Sequence, residues 1–386
     1  MSAMTANRHP ISALKITLIG FAALASAMGV GRFAFTPLLP LMQAHAGMSL
    51  RQGAWLAGAN YVGYLVGAML CSITVPVPRH AVRFGLVAVA LLTLGMGVTD
   101  GFDAWLALRF GAGVASAYVL VGVSAWALPA LARHDRSVWS GWVFAGVGVG
   151  ISLAGGVVLL AGLGGSDPAG VWLLLGLVSI VVAGIAWAPM RTAVAVAASS
   201  VRQAGRLGAD GWRLVLCYGT FGFGYIIPAT FLPAMARDVI ADPAVFGWVW
   251  PVFGATAALS TVAVALGSRR MQARRVWVLG QLVMAVGVLA PVLFPGIATL
   301  LVAAVCVGGT FMVNTMAGMQ EARRIAGAHA PKLMAAMTAA FALGQLAGPI
   351  VVAIAAADGA RHAAGPSLMA VALLLVGAWA LWRQPD

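Results

Sequence analysis

The sequence predicts an all-α membrane protein with twelve transmembrane helices, arranged as two pseudo-symmetric six-helix bundles. Three observations support this fold class. Hydrophobic residues make up 62% of the 386 residues and charged residues only 9%, whereas soluble domains are about half apolar and about a quarter charged. Twelve apolar runs are long enough to cross a bilayer. A short motif also recurs at half the chain length.

A membrane-spanning helix needs about 20 mostly apolar residues. Twelve runs approach or exceed this length, and the third, ninth and twelfth are the shortest. We predict spans at residues 16–43, 53–75, 81–98, 104–128, 138–163, 171–189, 214–236, 246–267, 276–293, 297–320, 333–355 and 366–382. The many Gly and Pro residues do not argue against these spans, because helices bundled in a membrane tolerate both.

A motif in the first run has a counterpart in the seventh. Residues 29–42 read Gly-Val-Gly-Arg-Phe-Ala-Phe-Thr-Pro-Leu-Leu-Pro-Leu-Met. Five of these positions recur 193 residues later, as Gly222, Gly224, Leu232, Pro233 and Met235. The one long polar break, rich in Ala, Ser and Arg, lies at the midpoint. We therefore predict an N-terminal bundle at 1–189, a cytoplasmic linker at 190–212 and a C-terminal bundle at 213–386.

The basic residues predict the orientation. With the spans above, eighteen of the 23 Lys and Arg residues lie on one side, three on the other, and Arg32 and Arg109 are embedded. Because cytoplasmic loops carry the excess of basic residues, both termini are predicted to be cytoplasmic. The net charge of +13 does not indicate a nucleic-acid partner, since the basic residues are scattered and form no basic face.

Several site classes are excluded by what the sequence lacks. Cys71, Cys217 and Cys306 lie far apart in apolar runs, without metal-ligand spacing and in an odd number for a disulfide framework. No nucleophile is paired with a base, and no loop carries a His/Asp cluster. We therefore expect no enzymatic activity, no metal and no cofactor, and the expected surroundings are the lipid bilayer.

Four stretches resemble the major facilitator superfamily, and most closely its sparsely characterised YbfB/YjiJ-type branch: residues 29–42, 60–67, 218–233 and 344–349. Arg109, four residues before Gly113, resembles the fourth-helix pattern. The loops at 76–83 and 267–275 lack the usual Asp, which argues against the gating ion pair of that family. The resemblance, which covers essentially the whole chain, implies two bundles that rock around a cavity lined by the first, fourth, seventh and tenth helices.

Arg32 is the central candidate for substrate binding. It lies 17 residues after Lys15, or about 25 Å along a helix, and Arg109 enters its own run at a similar depth. A charge inside a membrane is costly and is usually retained for function, and guanidinium matches the geometry of carboxylate and phosphate. We predict that both cations bind an anionic group. Alternatively, Arg32 could bond backbone carbonyls freed by nearby Gly and Pro, and Arg109 could extend to the lipid headgroups.

Three further residues complete the predicted site. Tyr225 occupies the place equivalent to Arg32, and Asn314 lies in the tenth run, so both are candidate hydrogen-bond partners of the substrate. Glu321, the sole Glu, lies at the cytoplasmic end of the tenth run and is a possible coupling group. No acidic residue falls inside a predicted span. Either the substrate carries the proton, or Glu321 acts from the cytoplasmic mouth, or transport is uncoupled.

These observations predict a secondary active or facilitated transporter of the bacterial inner membrane. It would move a small solute, expected to be an organic anion, by alternating access, and we expect a monomer. An efflux carrier for neutral or amphiphilic compounds is the main alternative, and a membrane receptor that binds without transport is a lower one. The direction of transport stays open.

Overall fold

The computed structural model describes residues 11–74, 76–191, 208–240, 242, 245, 247–267, 271–326, 330–357 and 364–383. Within these residues, twelve helices are long and apolar enough to cross a membrane. The predicted number of spans is therefore confirmed. Long aliphatic and aromatic side chains such as Leu18, Phe84, Leu160, Leu216 and Leu259 are exposed on the outside of the helices, where a bilayer would cover them.

Span 1 consists of two α-helices, Ala13–Leu24 and Phe35–Ala46, joined by a π-helical turn, Ala25–Val30, and a four-residue turn. The other helices are numbered as spans 2 to 12 in chain order. They run over Leu50–Thr74, Pro78–Val98, Phe102–Arg133, Ser140–Leu163, Pro168–Arg191, Ala209–Val239, Val249–Gly267, Ala273–Leu293, Ile297–Ala326, Ala330–Ala357 and Ala364–Trp382.

Several helices are longer than the apolar runs that predicted them. Span 4 continues to Arg133, five residues past its predicted end, and span 10 to Ala326, six residues past. Apolar composition marks only the part of a helix inside the hydrocarbon, whereas backbone hydrogen bonding continues into polar surroundings. Of the predicted linker, residues 192–207 lie outside the described part of the chain.

The two halves repeat the same helix contact. Gly29 of span 1 lies so close to the backbone of Gly150 in span 5 that a Cβ would collide with it. Gly222, the counterpart of Gly29, packs in the same way against the backbone of Phe341 in span 11. Small residues allow this approach between membrane helices. Spans 1 and 5 thus correspond to spans 7 and 11, as the repeat predicts.

The halves meet along three pairs of helices. Span 5 packs closely on span 8, where Gly148 faces Gly254. Span 2 packs on span 11, and the second half of span 1 packs on span 7. The first half of span 1, Ala13–Leu24, packs instead on spans 4, 5 and 6 of its own half. The two segments of span 1 therefore have different neighbours, and the break between them lies at the interface.

Candidate functional site

Span 1 loses its regular α-helical hydrogen bonding just before Arg32. Within the π-helical turn the N–H of Gly31 bonds the carbonyl of Ser26 at 3.0 Å, five residues back. The N–H of Phe33 bonds the carbonyl of Met28 in the same way at 3.1 Å. Such π-turns inside helices occur frequently at functional sites. Arg32 lies within this stretch and is buried.

Pro37 explains why the carbonyl of Arg32 is open to side chains. Proline offers no N–H, and its ring clashes with the carbonyl four residues before it, which here is Phe33. The N–H of Thr36 bonds the carbonyl of Phe33 at 3.2 Å instead of reaching back to Arg32. The carbonyl oxygen of Arg32 is therefore open to side chains of neighbouring spans, and the carbonyl oxygen of Gly31 also accepts hydrogen bonds from them.

Arg109 of span 4 binds both of these carbonyls. Its Nη1 donates to the oxygen of Gly31 at 3.2 Å and its Nη2 to the oxygen of Arg32 at 3.0 Å. Asn60 of span 2 donates to the Gly31 oxygen at 3.4 Å and to the Arg109 oxygen at 2.9 Å. Arg109 is only 2% exposed, so it does not extend to the lipid headgroups. The carbonyl-binding role that the sequence suggests as an alternative for Arg32 is taken by Arg109.

Arg32 itself reaches across the interface to the other half of the protein. Its Nη2 donates a short hydrogen bond to Oε1 of Gln345 in span 11. The amide nitrogen of Gln345 donates in turn to the hydroxyl of Tyr225 in span 7. One amide side chain thus links Arg32 with Tyr225, its counterpart in the internal repeat. Among the described residues no carboxylate pairs with Arg32, and its Nε has no hydrogen-bond partner.

Aromatic rings surround the guanidinium group of Arg32. Its central carbon lies 4.0 Å from the ring centre of Tyr64, 5.4 Å from that of Tyr61 and 5.3 Å from that of Phe33. A cation over an aromatic face is stabilised by about 2 kcal/mol or more when the pair is desolvated. These rings offset part of the cost of burying the charge, without neutralising it.

Three more hydrogen bonds join the halves on one side of Arg32. Thr36 donates to the carbonyl of Ala229 at 3.1 Å, and the hydroxyls of Tyr61 and Thr230 lie 2.8 Å apart. Arg237 donates to the carbonyl of Pro40 at 2.9 Å. All of them lie between Arg32 and the end of the bundle where span 1 turns into span 2. At this end these hydrogen bonds join the two halves.

Asn314 and Glu321 lie apart from the Arg32 cluster. Asn314 is buried with its amide against Gly280 of span 9, and neither amide atom has a hydrogen-bond partner among the described residues. Glu321 is buried near the end of span 10. Its carboxylate accepts two hydrogen bonds from Arg324, at 2.7 and 3.0 Å. The structure therefore joins Arg32 with Tyr225, and brings neither Asn314 nor Glu321 to them.

Gln345 is not among the residues predicted from the sequence to form the site. The available signal was an amide inside an apolar run, but Asn60, Gln281 and Asn314 show the same pattern. What distinguishes Gln345 is the partner it meets across the interface, and that depends on how the two halves dock.

Twelve spans in two docked halves, with a charged cluster where the halves meet, define a membrane transporter of the major facilitator superfamily. A family model described as "Uncharacterised MFS-type transporter YbfB" matches residues 24–381, and the chain belongs to this family. The uncharacterised transporter YceJ of Bacillus subtilis (strain 168) is 29% identical over 131 residues. That match covers 33% of this chain and 31% of the relative, so the aligned part spans about a third of the relative's length.

Solved structures with the same fold include the nucleoside transporter NupG. The chain matches it with a TM-score of 0.69 at 14% identity, over 97% of this chain and 99% of NupG. A mutant of NupG gives a TM-score of 0.71 at the same identity, over 95% and 99%. At this identity the likeness shows the fold alone.

Proposed function

We propose that this protein is a secondary carrier of the bacterial inner membrane that moves a small organic anion by alternating access. One observation carries the proposal. Arg32 is a buried cation at the interface of the two halves, and its hydrogen-bond partner across that interface is the neutral amide of Gln345. Transporters of this architecture bind substrate near the midplane between their halves.

The neutral partner matters because a buried charge without a counter-charge is costly. An amide oxygen accepts a hydrogen bond from Arg32 but brings no negative charge. A carboxylate in its place would accept two parallel bonds from the guanidinium, and charge-assisted bonds are roughly twice as strong as neutral ones. An anion that displaces the amide of Gln345 would therefore bind Arg32 more strongly than the amide does. It would also break the bridge to Tyr225 and so affect how the halves dock.

Arg109 and Tyr225 have different roles in this proposal. Both terminal nitrogens of Arg109 donate hydrogen bonds to carbonyls of span 1. Arg109 therefore positions Arg32 and does not contact the anion. Tyr225 is released when Gln345 moves, and its hydroxyl becomes a hydrogen-bond donor to the substrate. Asn314 faces span 9 and has no part in binding.

The placement of basic residues supports an orientation with both termini in the cytoplasm. In that orientation, the hydrogen bonds between Thr36, Tyr61, Thr230 and Arg237 and their partners close the outer side. Rocking of the halves about Arg32 would break this set and expose the site to the outside.

The substitution Gln345→Glu is expected to inhibit transport, because the protein would then carry its own carboxylate next to Arg32. The new carboxylate would pair with Arg32 and compete with the substrate, so that carboxylate affinity falls by about tenfold or more. The same pair should raise the thermal midpoint of the purified protein. Gln281→Glu is the control, because Gln281 is equally buried and lies away from Arg32, so an unpaired carboxylate there should lower the midpoint. Unchanged affinity in Gln345→Glu would contradict the proposal.

Glu321 is the proposed coupling group if transport is driven by protons. It is buried and paired with Arg324, whose side chain is 52% exposed. Protonation would break this pair, and buried acidic groups commonly relay protons in carriers. We expect Glu321→Gln to keep anion exchange across proteoliposomes and to lose accumulation driven by a pH gradient. Accumulation equal to that of the wild type would remove Glu321 from the coupling mechanism.

The function is tested by ligand binding and counterflow with the purified wild-type chain. Small carboxylates should raise the thermal midpoint, whereas uncharged amides of the same shape should not. The same carboxylates should exchange across proteoliposomes. Binding without exchange would indicate a receptor. Stabilisation by neutral or amphiphilic compounds, without any by carboxylates, would favour the efflux alternative and overturn the proposal.

A further inference from the structure

The walls around Arg32 are aromatic on both sides of the interface. Span 1 and span 2 contribute Phe33, Tyr61 and Tyr64, whose ring centres all lie within 5.4 Å of the guanidinium carbon. Across the interface, Phe33 contacts Phe311 of span 10 edge to face, with the ring centres 6.2 Å apart. These rings offer mainly faces and edges, and the hydroxyl of Tyr61 is already bonded to Thr230.

On the far side, three rings are stacked nearly parallel. Tyr225 lies between Phe311 and Phe341, with interplanar angles of 6° and 8° and centroid distances of 5.6 and 5.5 Å. Offset stacking of this kind stabilises aromatic pairs beyond the area they bury. The hydroxyl edge of the central ring points to Gln345, which points to Arg32. In this structure the guanidinium of Arg32 therefore contacts the amide of Gln345, and this amide contacts the ring of Tyr225.

Of Arg32 and Arg109, only Arg32 has a terminal nitrogen that a ligand could bind by displacing a side chain. Both terminal nitrogens of Arg109 are bonded to the carbonyls of Gly31 and Arg32. A second anionic group on the substrate would therefore be buried without a cation, which is costly. Hydroxyl-rich substrates fit equally poorly, because buried polar groups without partners cost binding energy. One cation and aromatic walls define a narrow class of ligand.

We propose that the transported anion is a monocarboxylate with a flat aromatic body, a conclusion that rests on the proposed function above. Its carboxylate takes the place of the Gln345 amide on Arg32. Its ring packs beside Tyr64 and against the edge of the stack formed by Phe311, Tyr225 and Phe341, the edge that carries the Tyr225 hydroxyl. In this structure the amide of Gln345 lies where the carboxylate would bind Arg32, and the ring of Tyr225 follows it as the aromatic body follows the carboxylate in such a ligand.

The test compares four probes on the purified full-length chain, by thermal shift and by counterflow in proteoliposomes. They are benzoate, cyclohexanecarboxylate, terephthalate and benzamide. Benzoate is expected to bind about tenfold more tightly than cyclohexanecarboxylate, which has the charge and size but no aromatic face. Terephthalate, with two charges, and benzamide, with none, are expected to bind more weakly than benzoate.

The outcomes separate this inference from the function on which it rests. Equal affinity for benzoate and cyclohexanecarboxylate would overturn the aromatic specificity and leave the anion carrier standing. Terephthalate binding as tightly as benzoate would overturn the restriction to one charge. If benzamide binds and neither monocarboxylate does, the inference and the proposed function both fail.

A substitution in the stack gives a second test. Phe311→Leu removes one aromatic face while keeping an apolar side chain, and it should reduce the preference for benzoate without loss of cyclohexanecarboxylate binding. Phe294→Leu is the matched control, since Phe294 is exposed at the end of span 9, and it should keep the full preference. A preference that survives Phe311→Leu unchanged would contradict the assignment of the ring to this stack.

Discussion

Replacing Arg32 with glutamine is expected to abolish carboxylate binding and counterflow while the protein remains folded and inserted. The variant loses the buried cation that is proposed to bind the carboxylate. Removing one partner of a buried charge pair typically costs about 3 kcal/mol or more, a hundredfold in affinity. Thermal shift with carboxylates and exchange in proteoliposomes measure both effects. Unchanged transport would end the role of Arg32 in binding.

The stability of the same variant gives an independent check. Arg32 has no carboxylate partner among the described residues, so its replacement strands no opposite charge, and neutral substitutes for buried charges are often tolerated or stabilising. The thermal midpoint without ligand should therefore stay close to that of the wild type or rise. Arg213→Gln is the control, because Arg213 forms an exposed pair with Asp210, and it should leave transport unchanged. Arg32→Lys should restore part of the binding, since the charge remains but the two-pronged geometry is lost.

Apolar composition was sufficient to predict the number of spans but not their ends. The twelve runs correspond to twelve helices because a bilayer admits almost only fully hydrogen-bonded helices at these lengths. The ends differ where polar helix continues beyond the hydrocarbon, as in span 4 up to Arg133. The internal repeat also has a structural counterpart, since Gly29 and Gly222 make equivalent close contacts in the two halves.

The burial of Arg32 inside a span could be predicted from the sequence, and its contacts could not. A lone Arg in an apolar run identifies Arg32, because so costly a placement needs a reason. Sequence alone could not decide which Arg binds the freed carbonyls, since Arg32 and Arg109 have similar depths. Nor could it select Gln345, because its partner lies 313 residues away across the interface. Asn314 was chosen by helix number, yet its side chain faces span 9.

Arg109 is expected to behave in the opposite way to Arg32. Arg109→Gln should lower the thermal midpoint of the ligand-free protein markedly, because the carbonyls of Gly31 and Arg32 lose their charged donors inside the membrane. Each hydrogen bond to a charged group contributes about 1.5–3 kcal/mol, so the two bonds account for a loss of about 3–6 kcal/mol in the free energy of unfolding. Asn60 still donates a hydrogen bond to the Gly31 oxygen in this variant, which limits the loss of stability.

A second variant, Arg109→Lys, shows whether Arg109 contacts the substrate. If Arg109 only holds the broken segment of span 1 in place, then Arg109→Lys, which can bond one carbonyl at a time, should lose stability but keep the relative affinities for different carboxylates. If Arg109 contacts the anion, those relative affinities should change while stability changes little. The second pattern would mean that both cations bind the substrate, and the restriction to a single carboxylate group would no longer follow.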